Sequence, residues 1–169
     1  TFQSCSKTYA MTGWRIGYIA GDERLVKAIS KLQGQSTSCP NSIAQHAAIA
    51  ALTGDQSCVL NMKNIFKKRR DLIINELSKI DDISCEIPNG AFYVFPKFSN
   101  YLNSTDIKGN QIKTSSDLSL YILETTGVVT VAGDSFGAPH HIRLSYATDE
   151  KTIVSAISLI SDALKKLNF

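Results

Sequence analysis

The sequence predicts an α/β chain whose two halves are organised differently. Short β-rich segments stand apart from one another: Arg15–Ala20 between Gly13 and Gly21, and His141–Tyr146 after a loop containing glycine and proline. Between them run apolar residues at helical spacing, most regularly at Ile153, Ile157, Ile160, Leu164 and Leu167. Composition supplies the mass for a core, with 43% of the 169 residues hydrophobic and 20% charged.

The elements follow in order. Thr1-Phe2-Gln3 and Arg15–Ala20 read as two short strands. Asp22 suits an N-cap, followed by a stripe of Leu25, Ala28, Ile29 and Leu32, with Gly34 as the stop. A polar loop, Gln35–Ser38, leads to Pro40 in the first turn of a second helix, with Ile43, Ala47, Ala51 and Leu52 inward and Gly54 at its end. Gly54-Asp55-Gln56 is the best domain boundary. Beyond it a long helix turns Val59, Met62, Phe66, Ile73 and Leu77 inward, and its Lys67-Lys68-Arg69-Arg70 run reads as a solvated face. Ile83–Ile87 and Ala91–Phe95 read as strands around the turn Pro88-Asn89-Gly90. Asn100–Thr114 reads as a loop, Ser115–Thr125 as a helix stopped by Gly127, and Val128–Val131 as a strand. The last helix starts near Thr148, with Asp149 and Glu150 favouring its dipole.

Several function classes drop out. Ten glycines, four prolines and 8% aromatics fit neither a disordered tail nor a collagen-like repeat. A net charge of +3 is too mild to imply nucleic acid. No apolar run approaches the ~20 residues of a membrane span. Cys5, Cys39, Cys58 and Cys85 lie far apart without a C-x-x-C pair, which reads as reduced thiols of a cytoplasmic protein. His46, His140 and His141 lack metal-ligand spacing, so no metal site is expected. Asn103-Ser104-Thr105 reads as a loop rather than a glycosylation site, and no dinucleotide fingerprint or Walker loop is present.

The most informative segment stands near the start. Lys7 follows an extended stretch, sits among Ser4, Ser6 and Thr8, and shares a glycine-containing region with Arg15. Hydroxyls and a guanidinium together can cradle an anion. An amine shielded beside such a cradle can lose its proton and attack a carbonyl. Lysine, phosphate cradle and aldehyde cofactor suggest pyridoxal 5'-phosphate. Ser4-Cys5-Ser6-Lys7-Thr8-Tyr9-Ala10-Met11-Thr12-Gly13-Trp14-Arg15-Ile16-Gly17-Tyr18 resembles, without a gap, the lysine signature of class I aminotransferases, pyridoxal-phosphate enzymes of the aspartate aminotransferase fold. The resemblance implies that Lys7 holds the cofactor covalently and then shuttles a proton between the substrate α-carbon and the cofactor C4′. It implies that Ser4 and Arg15 bind the phosphate, with Ser6 as a lesser helper. Trp14 reads as core.

Arg143 lies in His141-Ile142-Arg143-Leu144-Ser145-Tyr146, where alternation puts Ile142 and Leu144 on one face and His141, Arg143 and Ser145 on the other. On pattern alone it also reads as an exposed strand arginine. The segment resembles the family's I-R-L-S-x-A strand, which implies that the Arg143 fork binds the substrate α-carboxylate and so orients the α C–H bond. Pro88-Asn89-Gly90-Ala91-Phe92-Tyr93-Val94-Phe95-Pro96 resembles the family's P-x-G-A-F-Y-x-F-P. There Gly90 would admit the substrate to the backbone and Phe92 would line the pocket, although Phe92 reads equally as core. Val131–Gly137 resembles V-x-P-G-x-x-F-G with Ala132 in place of proline, and Gln35–Gln45 resembles the bacterial-type aspartate branch, some of whose members accept prephenate.

The resemblance covers the whole chain but only the C-terminal part of the family's length. It implies an α/β architecture with residues 1–54 as the C-terminal remnant of the large cofactor-binding domain and residues 55–169 as the small domain. The implied reaction is aspartate plus 2-oxoglutarate to oxaloacetate plus glutamate, by a cytoplasmic homodimer that binds amino acids and 2-oxo acids. The alternatives are a prephenate, aromatic or alanine aminotransferase, a related lyase, or a small domain without catalytic competence. The cofactor's remaining ligands would lie in an N-terminal portion, so this chain alone would retain it weakly.

Overall fold

Phe2, Gln3 and Ser4 form β1 (Phe2–Ser4) in the computed structural model, which describes all 169 residues. By their contacts they fall into two units, Thr1–Lys63 and Asn64–Phe169.

In the first unit β1 pairs antiparallel with β2 (Gly17–Ile19), in the register Phe2↔Ile19, Gln3↔Tyr18 and Ser4↔Gly17. Between them lie the single-turn helix α1 (Cys5–Thr8) and a 3-10 turn, Thr12–Trp14. Helix α2 (Glu23–Ser36) is capped by Asp22, whose carboxylate accepts from Arg24 N–H at 2.9 Å. Helix α3 (Ser42–Thr53) is capped by Asn41 and closed by the Gly54 N–H on the Ala50 carbonyl. The core of this unit consists of Cys5, Met11, Ile16, Ala44 and Ala48.

Four expectations fail here. Helix α2 runs through Gly34 to Ser36, since an interior glycine costs only about 1 kcal/mol and Thr37 closes the end on Gln33. Its stripe faces outward, with Leu25 at 52% and Leu32 at 72% exposure. Helix α3 buries Ala44 and Ala48 and leaves Ile43 outside, because small side chains let it approach Cys5, Met11 and Ile16 closely. Pro40 precedes the Asn41 cap rather than standing inside the first turn.

Helix α4 (Ser57–Leu77) begins in the first unit and ends in the second, where Ile73 and Leu77 are buried and Phe66 is half-buried. Its basic run is solvated only at Lys67 and Lys68. Arg69 is half-buried, with its guanidinium 5.7 Å from the Phe66 ring centroid. Arg70 is also half-buried: it pairs with Asp71 at 2.7 Å and donates to the Pro88 carbonyl at 3.3 Å.

In the second unit β3 (Tyr93–Val94) is followed by a hairpin of β4 (Ser104–Thr105) and β5 (Gln111–Ile112). Helix α5 (Ser115–Thr126) and strand β6 (Val131–Ala132) come next, then β7 (Ile142–Ser145) and α6 (Glu150–Leu164). Strands β3, β7 and β6 form an antiparallel sheet in that order. The stripe Ile153, Ile157, Ile160 and Leu164 of α6 packs with Ile142 and Leu144 of β7 and with Leu118 and Ile122 of α5, all in one core.

Three readings need correction. Ile83–Ile87 is not a strand; it contributes one bridge, Ser84↔Lys97. Asn100–Thr114 is not simply a loop, for it holds the β4–β5 hairpin and buries Leu102, Ser104 and Ile112. Two-residue strands are too short to display the alternation that reveals a strand in sequence. The third strand of the sheet likewise starts at Val131 rather than Val128.

Candidate functional site

In the first unit the β1–β2 register brings Ser4 and Ile16 together. Ser4 stands opposite Gly17, Cys5 N–H donates to the Ile16 carbonyl at 3.3 Å, and Ser4 Oγ lies 3.5 Å from the same oxygen. Arg15 directly precedes Ile16 in the chain. Ser4 Oγ accepts from Ser6 N–H at 3.1 Å, capping α1, and lies 2.9 Å from Ser6 Oγ. Thr12 Oγ1 donates to the Ser6 carbonyl at 3.1 Å, tying the 3-10 turn to α1. Lys7 is exposed on that single turn.

Arg15 holds left-handed backbone, φ 50° and ψ 47°, which costs a non-glycine residue about 1–2 kcal/mol. This conformation folds its guanidinium back toward its own turn, where Nη1 donates to the Thr12 carbonyl at 3.1 Å. A guanidinium carries five N–H donors, so that single bond leaves a fork for an anion. Beside it lies an open depression of about 630 Å³ lined by Ala10, Gly13, Trp14, Arg15, Asn41 and Ala44. Trp14, read as core in the sequence, is 47% exposed.

In the second unit Arg143 occupies the half-buried face of β7, with Ile142 and Leu144 buried on the other. Its guanidinium carbon lies 4.4 Å from the Tyr93 ring centroid and 4.6 Å from that of Phe136. Two aromatic faces thus hold the planar fork, and its N–H edge remains to meet a carboxylate. Phe136 meets Phe95 edge-on at 5.9 Å, and Phe95 stacks on His141 at 5.0 Å. Burial, then the nearby Lys97 and His140 charges, hold the His141 imidazole below its usual pKa, and its Nδ1 has no hydrogen-bond partner.

The segment around Gly90 is pinned at its carbonyls. Arg70 donates to Pro88 O, Tyr146 Oη donates to Ala91 O at 3.0 Å, and Tyr146 N–H donates to Phe92 O at 2.9 Å. A Cβ built on Gly90 meets nothing within 4 Å, so no neighbour in this chain demands a glycine there. Phe92 is half-buried, 6.0 Å from Phe66 and 4.5 Å from Tyr93.

Sequence reasoning found Arg143 but missed Tyr93 and Phe136 as its partners, and Arg70 and Tyr146 as tethers. Both aromatic residues stand inside the quoted motifs. What was missing was the β3–β7 register, Tyr93↔Ser145, which puts Tyr93 on the Arg143 face. No group of three or more His, Cys, Asp or Glu stands together as a metal site would need. No helix is long and apolar enough to cross a membrane.

The sequence model for "Aminotransferase class I and II" matches residues 1–160. An aspartate aminotransferase of Rhizobium meliloti strain 1021 is 43% identical over 168 residues, covering 99% of this chain and 41% of the relative. An aspartate/prephenate aminotransferase of Cereibacter sphaeroides is 41% identical over 160 residues, covering 95% and 40%. The crystal structure of the Rhizobium meliloti aspartate aminotransferase superposes with a TM-score of 0.95 at 42% identity, over 99% of this chain and 42% of that one. The chain thus spans about two fifths of the length of these relatives and shares the aspartate aminotransferase fold over that stretch. By a family match that runs almost end to end, the chain belongs to the class I and II aminotransferases.

Proposed function

We propose that this chain carries the lysine, phosphate-binding and carboxylate-binding residues of a pyridoxal-phosphate aminotransferase that moves the amino group of aspartate to 2-oxoglutarate. The observation that supports this most directly is the β1–β2 pairing, which joins two hydroxyls, an arginine fork and a lysine amine within one short segment. That donor set fits a phosphate-bearing aldehyde. Lys7 would hold the cofactor, and Ser4 and Arg15, with Ser6 assisting, would bind its phosphate. When bound, pyridoxal phosphate supplies an electron sink for charge developing at the substrate α-carbon.

Lys7 then moves the proton at that carbon, work that needs a positioned amine. Arg143, packed against Tyr93 and Phe136, binds the α-carboxylate through its N–H groups, with Gly90 and Phe92 as further substrate-binding residues. Residues 1–54 belong to a large cofactor-binding domain and residues 55–169 to a small domain, in a cytoplasmic homodimer. Aspartate as donor rests on the aspartate and aspartate/prephenate aminotransferases among the relatives, and prephenate as acceptor is the second reading for the same reason.

The test is transamination by the whole enzyme in which this sequence stands, across a panel of amino donors and with Lys7→Ala. Turnover with aspartate that disappears in the variant is expected. Near-normal turnover of Lys7→Ala would overturn the lysine assignment, and no turnover with aspartate would overturn the choice of substrate.

A further inference from the structure

The turn that carries Phe136 is latched from its other side. Asp134 stands in the 3-10 turn Gly133–Phe136, two residues before the ring that covers Arg143. Its Oδ2 accepts from the Ser115 hydroxyl at 2.8 Å, the Ser116 hydroxyl at 3.1 Å and the Ser116 N–H at 3.2 Å. The Asp134 N–H donates back to Ser115 Oγ at 3.1 Å, so the link runs both ways. Ser115 is 1% exposed and opens α5.

This link is more than a helix cap. Helix α5 already has one: Thr114 accepts from Asp117 N–H, and the Asp117 carboxylate accepts from Thr114 N–H. The group that gains from a carboxylate at the helix start is the turn itself. Its ends are fixed otherwise, by Gly133 N–H on the His141 carbonyl at 2.8 Å and Ala138 N–H on the Gly133 carbonyl at 3.0 Å. Phe95 meets the Phe136 ring edge-on at 5.9 Å. Between those ends the turn is held by the Asp134 carboxylate on Ser115 and Ser116 and by the Gly137 N–H on the Asp134 carbonyl at 3.1 Å.

We propose that Asp134 is a positioning residue for Arg143: by latching onto Ser115 and Ser116 it keeps Phe136 against the guanidinium that also lies over Tyr93. With both rings against it, the fork is held in the orientation it offers a ligand. The ligand, a carboxylate, rests on the function proposed above; the positioning does not.

The experiment follows the Arg143 Nε–H signal of the isotope-labelled chain by NMR, because ring currents from Tyr93 and Phe136 displace it. Phe136→Leu gives the reference for a guanidinium without that ring. Asp134→Ala should move the signal toward that reference, and Ser116→Ala should move it the same way by a smaller step. Ser116→Ala removes one hydroxyl donor and leaves the Thr114–Asp117 cap intact, so it decides the matter if Asp134→Ala does not fold. An Arg143 signal unmoved in a folded Asp134→Ala chain, or in Ser116→Ala where only that folds, overturns the proposal.

Titration with succinate then reads the ligand. Binding at Arg143 should weaken about three- to tenfold in Asp134→Ala. If the parent chain gives no response to succinate while the variants still shift the Arg143 signal, the carboxylate reading fails and the positioning role stands.

Discussion

Gly17 lies opposite Ser4 in the β1–β2 pair with no room for a side chain, since a Cβ there would sit 2.7 Å from the Gln3 carbonyl oxygen. Gly17→Ala should push the strands apart and cost about 1–3 kcal/mol. Hydrogen exchange at Ala20 N–H, bonded to the Thr1 carbonyl at 3.0 Å, reports the opening. Unchanged protection there would show that the pair tolerates a methyl group.

Gly133 is more constrained. A Cβ on it would overlap the carbonyl oxygens of Ala138 and His141, both of them backbone and one tied to Gly133 itself. Gly133→Ala should therefore destabilise the second unit by about 3 kcal/mol or more. A shift in the urea midpoint measures it, and a loss below about 1 kcal/mol would mean that the turn can relax.

Ala91 offers the opposite sign. Its φ of 61° is left-handed, next to Gly90, which does not need to be glycine for any contact in the chain. Ala91→Gly relieves that strain while loosening the unfolded chain, for a net gain of roughly 0.5–1 kcal/mol. The Tyr146 bond to the residue 91 carbonyl is untouched by the change. A lower urea midpoint would contradict the prediction.

His141 gives the second unit a pH dependence. Its folded pKa lies below the ordinary 6.5, so between the two values the unfolded chain binds more protons. Stability should fall as pH drops below about 6.5, and the loss is complete below the folded pKa. His141→Phe, which keeps a ring to stack on Phe95, should flatten the fall in stability below the ordinary 6.5. Equal slopes for parent and variant would assign the effect to other groups.

Long periodic elements were legible in the sequence, and short ones were not. Helix α6 and its inward stripe stand where the spacing put them, because Ile153, Ile157, Ile160 and Leu164 at helical intervals leave one solution, with Leu167 buried just past its end. The β4–β5 hairpin was invisible, since Ser104–Thr105 and Gln111–Ile112 carry no alternation of their own. Burial misled in α2, where Leu25 and Leu32 form a stripe without a buried face. At the candidate site, Lys7, Arg15 and Arg143 could be singled out by residue type and motif. Tyr93, Phe136 and Asp134 could not, because their roles depend on strand register and on a contact 19 residues away in the chain.

The core of Thr1–Lys63 is small: Cys5, Met11, Ile16 and two alanines, with α2 contributing nothing fully buried. Asn64–Phe169 instead closes on a continuous set of isoleucines and leucines with Phe98 and Tyr146. Cooperativity follows the buried apolar mass, so the two units need not melt as one. A single melting temperature for this chain would describe the part that holds Arg143. The turn bearing Lys7 would open on its own schedule, with a partner or ligand that orders it as its principal source of rigidity.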